Sequence, residues 1–178
     1  MKFATPRTYL REFAPADAAA VLTFNSNQQV TKFTGDAGLI TSLADAQKVI
    51  HDVWLHEYRT YGYGRWAVVD KQTDKVIGFC GFKYLPHVDM PDIGYRFLPE
   101  YWGRGLASET AIACVEYGKT QLHIRRYFAD VMPENIASVK VIKKLGLKFH
   151  GLIDEDGHTF MRFKQGARTM LNINQFYK

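Results

Sequence analysis

The residue types and spacing best suited to chemistry lie in Leu98-Pro99-Glu100-Tyr101-Trp102-Gly103-Arg104-Gly105-Leu106-Ala107-Ser108-Glu109. A strand is expected to end there, two glycines follow, and an Ala-rich helix begins at once. The start of a helix leaves backbone N–H groups without partners and carries the positive end of the helix dipole. Gly103 and Gly105 have no Cβ, so an anion can approach that backbone closely, and Arg104 adds a permanent positive charge. The chemistry this suits is phosphate binding. The Lys-Ser/Thr ending of a P-loop and the third glycine of a dinucleotide fingerprint are absent. A second reading stays open: a tight strand-to-helix turn that uses glycine for steric reasons alone.

Two further features stand around this segment. Asp92-Ile93-Gly94-Tyr95 puts a lone carboxylate at the start of the strand that runs into the glycine loop. Asn135-Ile136-Ala137-Ser138 begins a later helix, with Asn135 a suitable N-cap and Gly146 a natural C-cap. If the strands ahead of these two helices are parallel neighbours, both helix N-termini point to one edge of the sheet.

The surrounding pattern supplies the elements that such a site needs. Thr8 to Phe13 reads as a first strand, and Pro15-Ala16-Asp17 opens a short helix through Asn25. Ser42 with Asp45 forms a capping-box signature, and Val49, Ile50, Val53, Trp54 and Tyr58 have helical spacing up to Tyr61-Gly62. Trp66 to Asp70 and Val76 to Tyr84 read as a hairpin, followed by a strand over Asp92 to Leu98. Gly94 inside that strand calls for a bulge or a close backbone approach. Leu106 to Tyr117 is helical, Arg126 to Val131 extended, Asn135 to Leu145 helical, and Leu147 to Met161 a final pair of strands. Strands bracketing helices in this order predict one α/β (α+β) domain over residues 1–178, with no repeat or linker dividing it.

Composition excludes several classes. A chain that is 47% hydrophobic and 14% aromatic can fill a core, so wholesale disorder is excluded. No apolar run is long enough to span a membrane, and the N-terminus has no signal-peptide core, so a cytoplasmic location is expected. Cys80 and Cys114 make no disulfide framework, and no Cys/His ligand spacing points to a metal. Both cysteines sit in apolar surroundings and read as buried small hydrophobes. Residues 1–100 hold 11 basic and 11 acidic side chains; residues 101–178 hold 12 and 7, and so carry the whole net +5. This fits either an ordinary surface or an anionic partner of the second half.

The ordered set resembles the GNAT superfamily of acyl-CoA-dependent N-acyltransferases, and within it the ribosomal-protein-alanine acetyltransferase (RimJ/RimL-type) branch. The superfamily's pyrophosphate motif is Arg/Gln-x-x-Gly-x-Gly/Ala; here it reads Trp102-x-x-Gly105-x-Ala107, in the branch's Tyr-Trp-Gly-x-Gly-x-Ala form. Asn135-x-x-Ser138 and Lys144-Leu145-Gly146 resemble the branch's Asn-x-x-Ser and Lys-Leu-Gly-Phe, and the likeness spans residues 7–165. The resemblance implies a mixed, V-splayed sheet of about seven strands and about four helices, with acetyl-CoA in the opening. The backbone of Ile93, Gly94, Tyr95, Arg96, Phe97 and Leu98 would pair with the pantetheine arm. Trp102, Gly103, Arg104, Gly105, Leu106, Ala107 and Ser108 would hold the pyrophosphate, with Asn135 and Ser138 beside the cofactor.

The implied reaction is direct acetyl transfer, in a ternary complex, to a primary amine of a protein N-terminus or a small molecule. An α-amine titrates near pH 8 and a lysine near 10.4, so a proton acceptor helps, and the resemblance gives that role to Asp92. Strand N–H groups near Gly94 to Phe97 would face the oxyanion, and Ser138 would either hydrogen-bond the departing sulfur or cap its helix. Two positions depart from the family. Ile142 stands where many members carry a Tyr that acts as general acid, and Leu147 stands where Phe is usual. Ile142 keeps a second class open, a non-catalytic acyl-CoA-binding or sensor module. A nucleic-acid-binding domain is disfavoured by the neutral first half and the lack of a recognition motif. The acceptor amine and the choice between monomer and homodimer are left undetermined.

Overall fold

The computed structural model describes residues 1–155 and 157–166. The single domain expected over 1–178 includes 167–178, which lie outside the described residues. The strands are β1 (Phe3–Ala4), β2 (Thr8–Arg11), β3 (Arg65–Asp70), β4 (Val76–Leu85), β5 (Met90–Phe97), β6 (Phe128–Val131), β7 (Leu147–Glu155) and β8 (His158–Gln165). They form one mixed, eight-stranded sheet in the order β1-β2-β3-β4-β5-β6-β8-β7. β1 to β5 form an antiparallel meander, and β6, β8 and β7 a second antiparallel group. The two groups meet where β5 and β6 run parallel, paired at a single position, Asp92 opposite Phe128. Past that position no further pairing joins the two strands.

The helices are α1 (Ala18–Ser26), α2 (Gln28–Thr31), α3 (Leu43–Lys48), α4 (Leu55–Tyr61), α5 (Leu106–Gln121) and α6 (Ile136–Lys144). The capping box starts α3 as its sequence predicts: Asp45 N–H donates to Ser42 Oγ at 3.1 Å, and Ser42 N–H to Asp45 Oδ2 at 2.9 Å. The helix expected to run unbroken to Tyr61 is wound as a π segment over Val49–Trp54 before α4 continues it. Gly62, at φ +75°, ends α4 in a left-handed turn.

Alternation along β4 assigns the layers. Phe79 packs edge-on to Phe24 of α1, with ring centroids 5.9 Å apart. Phe82 faces the other way, under α5, so close that a Cβ on Gly118 would sit 2.5 Å from its ring. The early helices therefore cover one face of the sheet and α5 the other.

Three details go beyond the sequence pattern. The eighth strand is β1, whose two residues are too few for periodicity to register. Asp92 is the third residue of β5 rather than its start. Gly94 makes no bulge, since pairing with β4 runs unbroken through Gly81 opposite Gly94. Its reason is close approach: a Cβ there would lie 2.6 Å from Nη2 of Arg65, whose guanidinium lies over the strand.

Candidate active site

β5 is the axis of the site. Leu98 N–H donates to Ile77 O at 3.0 Å, which sets the antiparallel alternation between β5 and β4. N–H and C=O groups of residues 92, 94 and 96 are thereby directed at β4, and those of Ile93, Tyr95 and Phe97 at the opening beside β6. Of the six residues expected to offer backbone to the cofactor, only these three face the gap. The Phe97 carbonyl already accepts a bond from the Trp102 indole Nε1–H at 2.7 Å. That contact folds the half-exposed Trp102 back over the end of the strand.

At this end a single 3₁₀ turn, Pro99–Tyr101, leads into the glycines. Gly103 and Gly105 hold φ of +71° and +77°, which β-carbon-bearing residues adopt only under strain. Nothing lies within 4 Å of a Cβ built on Gly103, and at Gly105 only Arg7 Nη2 does, at 3.8 Å. Gly105 is the N-cap of the 16-residue α5 and offers no side chain to the first turn. The N–H groups of Leu106, Ala107 and Ser108 thus lack helical partners, beside the open approach at Gly103 and Gly105. The Leu106 side chain itself is buried in the core, so only its backbone can serve a ligand. These residues fit a phosphate-bearing group.

Arg7, which sequence reading passed over, completes the cradle. Its Nε donates to Glu109 Oε2 at 2.8 Å, its backbone N–H to Glu109 Oε1 at 3.1 Å, and Nη1 to the Arg104 carbonyl at 2.8 Å. Burial pushes the Glu109 carboxyl up, but bonds from Thr5 and Arg7 outweigh it and hold the group below its ordinary value. The only sequence signal for Arg7 was its place just before the first strand.

The second helix N-terminus lies at the same end of the sheet, because β5 and β6 are parallel. Asn135 Oδ1 accepts the Ser138 N–H at 3.1 Å, so Asn135 does the capping. Ser138 Oγ instead lies 2.8 Å from the Tyr95 hydroxyl. Burial pushes that hydroxyl up, with the Ser138 hydrogen bond opposing. Ile142, one turn further along α6, is 2% exposed and packs in the core. Lys144 Nζ reaches Ser108 Oγ at 3.5 Å and ties α6 to α5.

The other face of β5 floors a cleft of about 740 Å³ between the early helices and the β7–β8 end. Asp92, Arg65, Phe79 and Arg96 form its floor; Asn25, Asp36, Ile40, Val49, Trp54 and Phe160 are among its walls. Asp92 is no lone carboxylate. Its Oδ2 is paired with Arg65 Nη2, while Arg65 Nη1 donates to the carbonyls of Gly81 at 2.5 Å and Asp92 at 3.1 Å. Arg96, 8% exposed, turns its side chain into this cleft, bonding to Asn25 Oδ1 and to both Asp36 oxygens at 2.9 Å. The two guanidinium groups lie 5.8 and 5.3 Å from the Phe79 ring centroid. Glu57 of α4 is 6% exposed, and its Oε2 has no hydrogen-bond partner among the described residues. Burial raises its carboxyl, with Arg65 and Lys83 opposing.

Cys80 and Cys114 are free and buried. Tyr58 and Trp66 belong to the core, and none of the aromatic group Tyr58, Tyr61, Tyr63 and Trp66 lines the cleft. Among the described residues, no group of three or more His, Cys, Asp and Glu is gathered to hold a metal, and no helix is long and apolar enough to cross a membrane.

Residues 7–148 match the Acetyltransferase (GNAT) domain family. A curated relative, an uncharacterized N-acetyltransferase p20 of Bacillus licheniformis, is 32% identical over 152 residues, covering 84% of this chain and 83% of its own. RimL, a ribosomal L7/L12 α-N-protein acetyltransferase solved in complex with coenzyme A, has a TM-score of 0.79 at 17% identity, covering 90% of this chain and 94% of its own. Spermidine N-acetyltransferase from Vibrio cholerae, solved with CoA and spermine, has a TM-score of 0.71 at 17% identity, covering 89% of this chain and 94% of its own. The chain belongs to the GNAT acetyltransferases.

Proposed function

We propose that this GNAT acetyltransferase moves an acetyl group from acetyl-CoA directly to a primary amine, on a protein N-terminus or a small molecule, in the manner of the RimJ/RimL-type branch. The observation that carries the reading is the lack of pairing between β5 and β6 beyond Asp92–Phe128, with the glycine loop and the α5 N-terminus at the open end. An extended pantetheine arm fits along the edge of Ile93, Tyr95 and Phe97, up to the Phe97 carbonyl that Trp102 already holds. The pyrophosphate then meets the N–H groups of residues 106–108, with Arg7 and Arg104 alongside. Acetyl-CoA brings an activated thioester carbonyl; all else is done by the chain.

The amine enters through the cleft on the opposite face. Asp92 Oδ2 is held by Arg65, which fixes the carboxylate and leaves Oδ1 to take the amine proton, directly or through a water. Fixing amine against thioester supplies a large part of the rate, and no covalent enzyme intermediate is needed. The mixed lining of two ion pairs and aromatic rings fits a polar amine, and RimL and spermidine N-acetyltransferase show that neighbours of this fold act on protein and on small amines. The two free, buried thiols fit a cytoplasmic setting.

The test is thiol release from acetyl-CoA by the purified chain against a panel of amines: peptides with N-terminal alanine or serine, polyamines, amino acids and aminoglycosides. At least one amine should raise release well above hydrolysis and yield its N-acetyl product. Release unaffected by every amine would overturn the reading.

A further inference from the structure

This inference rests on the acetyl-transfer reading. When the amine nitrogen bonds the carbonyl carbon, the carbon–sulfur bond breaks and its electron pair stays on sulfur. The developing thiolate is stabilised by a hydrogen-bond donor. Ile142, at the position where many members of the superfamily carry a tyrosine, is apolar and buried, so α6 supplies no donor there. One turn nearer the start of α6, on the same helix face, stands Ser138.

The Ser138 hydroxyl is not occupied with its helix, because Asn135 does the capping. Its neighbour is Tyr95, reaching from β5 on the face away from the amine cleft; its hydroxyl donates to the Ser138 carbonyl oxygen at 3.1 Å and lies 2.8 Å from Ser138 Oγ, so its one proton is placed between two acceptors of the same residue, Oγ the nearer. Each hydroxyl has one proton. If Ser138 donates to Tyr95, none is left for sulfur. If Tyr95 donates to Ser138, the serine proton is free to point into the opening. We propose that Tyr95 is a positioning residue for acetyl transfer: its phenol proton, shared between the Ser138 carbonyl and the nearer Ser138 Oγ, makes the serine hydroxyl an acceptor there and so directs the Ser138 proton at the departing sulfur.

Tyr95 does not itself protonate the thiolate. A phenol titrates near 10 and a thiol near 8.5, and burial pushes this phenol higher still, so proton transfer to sulfur runs uphill. The same burial keeps Tyr95 protonated, a permanent donor to Ser138. The thiolate leaves with its electron pair and takes its proton from water; the amine proton leaves through Asp92.

The experiment is a double-mutant cycle in the full chain with Tyr95→Phe, Ser138→Ala and the pair, measuring kcat and KM with acetyl-CoA and the best amine of the panel. Tyr95→Phe should lower kcat about tenfold, the scale of one hydrogen bond to a charged group, with KM for acetyl-CoA unchanged. In the Ser138→Ala background it should cost nothing further. Equal losses in both backgrounds, a loss in KM alone, or no loss at all would overturn the role of Tyr95. Ring-fluorinated tyrosine at position 95 covers a misfolded Tyr95→Phe: kcat rising with phenol acidity supports the role, and kcat independent of it overturns it. Failure of the acetyl-transfer reading looks different, since the unaltered chain then releases no thiol with any amine.

Discussion

The two faces of β5 do opposite kinds of work from one run of alternating residues. Toward α5 and α6 stand Ile93, Tyr95 and Phe97, apolar except for one half-buried hydroxyl pair with Ser138. Toward the cleft stand Asp92, Gly94 and Arg96, crowded with charge and crossed by the Arg65 guanidinium. The first face has little to recognise through side chains, and the anion-binding capacity beside it is backbone: a strand edge and two helix N-termini. The second is made almost wholly of side chains gathered from distant parts of the chain. A shared donor and a variable acceptor need this division, since backbone geometry tolerates sequence change and a side-chain cleft does not.

Three substitutions separate the two faces, in order of expected effect. Asp92→Asn removes the proposed proton acceptor and should lower kcat about 10²–10⁴-fold, with acetyl-CoA affinity unchanged. A Tm measured alongside isolates the separate cost of leaving Arg65 without its carboxylate. Gly105→Val forces a β-branched residue to φ +77° and fills the approach to the α5 N-terminus. It should weaken acetyl-CoA binding about 100-fold by calorimetry, with a native circular dichroism spectrum. Gly94→Ala places a Cβ 2.6 Å from Arg65 Nη2 and displaces the guanidinium. Here kcat should fall about tenfold while acetyl-CoA affinity holds, because the donor face is untouched. A matching loss of affinity would show that the two faces are not independent.

The smallest effect is on stability and has its sign set by pH. The Glu57 carboxyl is raised above its ordinary 4.5 by burial, so ionising it costs the folded state. Below pH 4.5 both states are protonated and no penalty exists; it grows as pH rises through the folded-state value. Glu57→Gln should therefore raise Tm at pH 7 and leave it nearly unchanged at pH 4, read from thermal unfolding. Glu109 runs the other way. Its carboxyl is held low, so its contribution is present above pH 4.5 and fades as pH falls below it.

What the sequence disclosed follows the same division. The glycine loop, the capping box at Ser42 and the Asn135 cap are local devices whose residue types announce their geometry. The Arg7–Glu109 contact joins residues 102 apart, Arg65–Asp92 spans 27 and Arg96–Asp36 spans 60, and no local pattern marks such pairs. Asp92 accordingly reads as a lone carboxylate until the sheet brings Arg65 beside it. Gly94 was recognisable as demanding a reason, and the reason lay on another strand. Ser138 stood open between capping and chemistry; the structure gives the cap to Asn135 and the hydroxyl to Tyr95.

The single paired position between β5 and β6 has a mechanical consequence. Two antiparallel groups of strands, β1–β5 and β6–β8–β7, share almost no ladder, so their backbone amides are free to open as separate cooperative units. A molecule lying in the gap and bonding to the free edge of β5 becomes the missing rung. Amide hydrogen exchange should register this as slowing concentrated at Ile93, Tyr95 and Phe97, while β2 and β3, zipped on both sides, exchange as before. The enzyme would then be stiffest only while it holds its donor, and its two halves would relax apart each time the spent thiol leaves.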